Sequence, residues 1–83
     1  MPYVKQDRRL ELDQVVEAMV KANIKADGDL NYVLYTFAKR FIPASYNNYK
    51  NYLGELNEAA MEIRRRLLSE YEEKKIRDNG DIL

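Results

Sequence analysis

The stretch that decides the fold is SYNNYKNYLGELNEAAMEIRRRLLSEYEEKKIR, residues 45–77. It contains no proline, and Gly54 is its one weak helical position. Tyr49, Leu53, Leu56, Ala60, Ile63 and Leu67 recur at alternating steps of four and three, the heptad-like seam of an amphipathic helix. Ser45 supplies an N-cap hydroxyl, and Asn79–Gly80 reads as the C-cap or tight turn that ends the run. At 1.5 Å per residue such a helix is about 45–48 Å long.

Two shorter helices precede it. Asp13 is a good N-cap for a helix whose apolar set is Val15, Val16, Met19, Val20 and Ile24, again at steps of three and four. Gly28 in ADGD stops that helix, and Asp29 caps the next, which carries Leu30, Val33, Leu34, Phe37 and Phe41 on one face. Pro43 disfavours helical geometry at Ile42 and ends it. The opening MPYVKQDRRLEL has no sustained period and reads as an extended arm. The expectation is one all-α domain over 1–83: an arm at 1–12, a hairpin of two short helices at 13–26 and 29–42, a long helix at 45–78 and a tail at 79–83.

The two short helices, about 18 Å each, cannot cover a partner more than twice as long. The C-terminal half of the long helix, with Leu67, Leu68, Tyr71 and Ile76, therefore stays uncovered in one copy. A chain of 83 residues buries only about 60% of the surface its unfolded form exposes, which adds to the case for self-association as a dimer or higher oligomer.

Composition narrows the chemistry. Fourteen basic residues balance fourteen acidic ones, and neither half of the chain is a polycation, which argues against duplex nucleic acid as a ligand. The chain has no cysteine and no histidine, so disulfides, thiolate chemistry, the common neutral-pH proton shuttle and the commonest metal ligand are all missing. No apolar run reaches membrane-spanning length, and the N-terminus lacks a signal-peptide core, so a cytoplasmic protein is expected. DNGD at 78–81 lacks the other ligands of a calcium loop, and no glycine-rich phosphate loop or paired nucleophile is present. An enzyme is not expected, nor a cofactor or metal.

Three consecutive arginines, Arg64 to Arg66, fan over about 200° of a helix and cannot face one phosphate together. Glu62–Arg65, Glu62–Arg66 and Glu70–Lys74 can pair along the surface, and a solvated helix laced with such pairs is the ordinary reading. The functional one gives Arg65, Lys74 or Lys75 to an anion site. Seven tyrosines without a tryptophan is a biased choice of aromatic residue. Tyr49, in the seam, is expected in the core, while Tyr46 and Tyr52 flank it. Tyr71 shares the end of the long helix with Lys74 and Lys75, placing a ring and two cations within one turn.

MPYVKQDRR at the start, GDLNYV at 28–33, YEEKKI at 71–76 and NGDI at 79–82 resemble an uncharacterised family of short proteins from bacteriophages and some bacterial and archaeal genomes. The resemblance spans essentially the whole chain and departs from the family pattern at Gln14 and Leu83. It implies a phage or mobile-element setting in a host cytoplasm, and it draws attention to Pro2, Tyr3, Lys5, Gln6, Gly28, Asn31, Tyr32, Tyr46, Asn57, Tyr71, Lys74, Lys75, Asn79 and Gly80. The function expected is a non-enzymatic oligomer that sequesters a small anionic, nucleotide-like ligand such as an immune signal. Its binding residues would be Tyr3, Lys5, Gln6, Asn31, Tyr32, Tyr46, Arg65, Tyr71, Lys74, Lys75 and Asn79. The alternative is an adaptor or inhibitor that lays the exposed face of the long helix into a groove of a host protein.

Overall fold

The structure, a computed structural model, describes residues 3–82, so Pro2 and Leu83 lie outside the described residues. It is all-α, with no strand among those residues. Helix α1 runs Gln6–Lys21, α2 Gly28–Phe41 and α3 Tyr46–Ile63. A π-helical turn, Arg64–Leu68, joins α3 without a break to α4, Ser69–Asn79. The expected order of two short helices and one long C-terminal one is therefore what forms. The chain divides into two compact units, one over 2–52 and one over 53–83.

In the first unit, α1 starts seven residues before the expected Asp13, which lies inside the helix. The arm is correspondingly short. The reason is local: Arg8 pairs with Glu11 at 2.7 Å, Asp7 lies in the first turn, and Arg9 Nε donates to the Val4 carbonyl. These ties stabilise a first turn that has no apolar period. Leu12, half-buried like Met19, extends the step of four and three back through Val16, so the inward face begins earlier than Val15.

The end of α1 also differs from the expectation. Asn23, at φ 57°, takes the left-handed position, well before Gly28. The amide of Ile24 donates to the Met19 carbonyl at 3.1 Å and that of Asn23 to Val20 at 2.9 Å. Those two bonds are a Schellman close, which turns Ile24 back toward Met19. Asparagine tolerates this conformation better than other residues with a Cβ. An open apolar groove of about 270 Å³ sits at this corner, lined by Val16, Met19, Val20, Ile24, Lys25, Ala26 and Leu30.

Gly28 opens α2 where it was expected to end α1. The cap is Asp27, whose carboxylate accepts from the Asp29 amide at 2.9 Å. At the next corner the expectation holds: Ser45 Oγ accepts from the Asn48 amide at 3.0 Å. Asn48 Nδ2 also donates to the Pro43 carbonyl.

One side chain ties α2 to the start of α3. The Tyr52 hydroxyl donates to the Leu34 carbonyl at 2.7 Å, and its ring stacks on Phe37 with centroids 6.0 Å apart. Phe37 in turn meets Phe41 at 5.8 Å. Tyr49, expected in the core, is 41% exposed. The three-residue step from 49 to 52 rotates the ring by about 60°, enough to bring Tyr52 rather than Tyr49 onto α2.

In the second unit the described residues form one helical segment and a short tail. Gly80, at φ 86°, donates its amide to the Ile76 carbonyl at 2.8 Å and closes α4 as expected. In the π turn the backbone amide of Ser69 bonds Arg64, five residues back, where an α-helix would bond Arg65. The Ser69 hydroxyl donates to the same carbonyl at 2.9 Å. Across both units, no described residue is buried.

Two sets of variants check these local assignments by urea unfolding at fixed protein concentration. Tyr52→Phe loses one hydrogen bond, about 1 kcal/mol, and Tyr52→Ala costs more than Tyr49→Ala. The reverse order would return Tyr49 to the core. Asn23→Gly is neutral or stabilising, whereas Asn23→Ala costs about 1 kcal/mol through the left-handed backbone.

Candidate functional site

The expected binding residues fall in both units. In the first, Tyr3 is exposed, and Lys5 is the residue before α1, its carbonyl accepting from the amides of Arg8 and Arg9. Gln6 is the first residue of α1. Lys5 and Gln6 are thus helix-start residues, not part of a long free arm. Asn31 lies in the first turn of α2, where its amide donates to the Asp27 carbonyl at 3.2 Å. Tyr32, beside it, is 65% exposed.

Tyr46 opens α3 and is 80% exposed, the most open ring described. The Lys50 ammonium lies 6.0 Å from its centroid. Lys50 was missed by the sequence reading, although its i+4 spacing from Tyr46 is the signal that places a cation over a helical ring.

In the second unit, Tyr71 and Lys75 come together as the sequence implied, with the ammonium 5.6 Å from the ring centroid. The ring itself remains 57% exposed. Lys74 and Asn79 share α4 with this pair, Asn79 as its last helical residue.

Arg65 is already engaged by an acidic partner. Glu62 accepts from Arg65 Nη2 through one carboxylate oxygen and from Arg66 Nε, at 2.9 Å, through the other. The Glu62 side chain is only 12% exposed, while the two arginines are open to solvent. This three-residue cluster joins the last turn of α3 to the π turn. An anion approaching Arg65 would compete with Glu62, which makes Arg65 a weaker candidate than the lysines of α4.

Chemically, each cation–ring pair offers a π face beside a positive charge. That arrangement can hold a flat, negatively charged group by stacking and charge together. The groove between α1 and α2 is apolar apart from the rim at Lys25, and it suits aliphatic or aromatic groups. Among the described residues no group of three or more acidic side chains could hold a metal ion. No described helix is long and apolar enough to cross a membrane.

No curated protein and no solved structure matches the chain. Residues 1–82 do match the profile of a protein family described as a domain of unknown function, DUF6899. With nearly its whole length matched, the chain belongs to the DUF6899 family.

Proposed function

We propose that this protein works by binding rather than by catalysis, and that its working form is a homo-oligomer joined through the C-terminal half of the long helix. The observation that carries this reading is the absence of any buried residue among the described residues, with Leu53, Ile63 and Tyr71 of the long helix each more than half exposed. Apolar surface of this kind marks an interaction face. The lack of histidine and cysteine supports a binding role.

For what the oligomer takes up, the Tyr71–Lys75 pair favours a small anion with a flat ring, a nucleotide-like ligand. Tyr71 would stack on the ring, and Lys74 and Lys75 would neutralise the phosphate. In the phage setting that the family resemblance implies, sequestering such a molecule in the host cytoplasm would be the biological role. The alternative, an adaptor that docks on a host protein, rests on the exposed face of the long helix.

Light scattering is expected to give a mass of at least twice the 9.8 kDa of one chain at micromolar concentration. A mass of one chain would refute the oligomer. A thermal-shift screen against nucleotides and cyclic nucleotides separates the two ligand readings. A ligand at 100 times its Kd adds about 2.7 kcal/mol, several degrees for a domain of this size. Lys74→Gln should reduce that shift while leaving the ligand-free melting temperature nearly unchanged. No shift with any nucleotide would favour the adaptor.

A further inference from the structure

The π turn changes which residues of the long helix can form one continuous apolar seam. Up to Ile63 the seam is Leu53, Leu56, Ala60 and Ile63, at steps of three, four and three. In an uninterrupted α-helix the next positions would be Leu67, Glu70 and Lys74, so a glutamate would follow one leucine. The π turn at Arg64–Leu68 adds one residue to its turn of helix, so everything after it lags by about 100°. Leu68 then takes the position of Leu67, and Tyr71 takes that of Glu70. The seam becomes Leu53, Leu56, Ala60, Ile63, Leu68 and Tyr71, free of charge as far as Tyr71, with Lys75 at the next position.

Charge along the same segment specifies what lies on it. Residues 53–63 carry Glu55, Glu58 and Glu62 and no basic residue, and Arg64, Arg65 and Arg66 follow at once. Two copies side by side in parallel would set glutamates against glutamates and arginines against arginines. Turned antiparallel about a twofold axis between Ala60 and Ile63, Glu58 of each copy lies level with Arg65 and Arg66 of the other, twice by symmetry. The apolar layers match in that arrangement. Ala60 meets Ile63 of the second copy, Leu56 meets Leu68, and Leu53 meets Tyr71. With an unbroken α-helix, Leu53 would instead meet Glu70.

We infer that the long helix pairs with a second copy of itself in antiparallel orientation, across a seam that the π turn re-phases to run through Leu68 and Tyr71. This rests on the oligomer reading above and specifies its partner, direction and residues. In it the Tyr71 ring covers Leu53 of the second copy, and Lys75 follows at the end of the seam.

The test uses the full chain, with light scattering for mass and far-UV circular dichroism as a control for helicity. Leu68→Glu is expected to give single chains and Leu67→Glu to leave the dimer intact. If Leu67→Glu splits the dimer and Leu68→Glu does not, or if both split it equally, the re-phased seam is wrong. A wild type that is already a single chain overturns the oligomer reading itself, which keeps the two failures distinguishable. Direction is read independently, because the chain has no native cysteine. Under oxidation, a mixture of Leu56→Cys and Leu68→Cys chains should cross-link to each other, and Leu56→Cys alone should not. Cross-linking of Leu56→Cys with itself would establish a parallel pair and overturn the inference.

Discussion

An apolar stripe on a helix has to be buried against something, and the described residues of the unit over 53–83 offer only the helix itself. A helix in isolation gains little from propensity alone; its stability in a protein comes from packing one face. Leu53, Ile63 and Tyr71 are all more than half exposed in a single copy. On that constraint rest the proposed oligomer and the role proposed for the π turn in it.

The first unit is held differently. Its helices are set by end effects: the Schellman close at Asn23, the Asp27 cap on α2, and the Ser45 cap on α3. The Tyr52 hydroxyl and ring then fix α2 against the start of α3. These are a few directional interactions, each of about 1 kcal/mol, not a large buried core. Val20, Tyr32 and Phe41 remain open as well, so this unit too carries apolar surface without a cover.

The legibility of the fold followed the range of the interactions that fix it. Caps at Ser45 and Gly80 act over three or four residues through one recognisable side chain or glycine, and both were readable from the sequence. The start of α1 was not, because Asp7, Arg8 and Glu11 stabilise a turn through charge while apolar periodicity is silent there. Asn23 is a weaker stop signal in the sequence than Gly28, which serves the start of α2 instead. The Tyr52–Leu34 tie spans 18 residues, and no local pattern distinguishes it from the Tyr49 alternative. The π turn was invisible for a further reason: residues 64–68 are good helix formers, and the extra residue comes from how Arg64 and Ser69 share a hydrogen bond. Of the candidate site, the Tyr71–Lys75 pair was legible through its i+4 spacing. Lys50 over Tyr46 obeys the same rule, though the asparagines around it make the pair less conspicuous.

The central claim is that residues 53–79 are helical because a second copy covers them. Hydrogen exchange measured across a dilution series tests it most directly. Amides of 53–79 should lose protection as the protein is diluted, while those of α2 change much less. Protection of 53–79 that stays the same at every concentration would contradict the account.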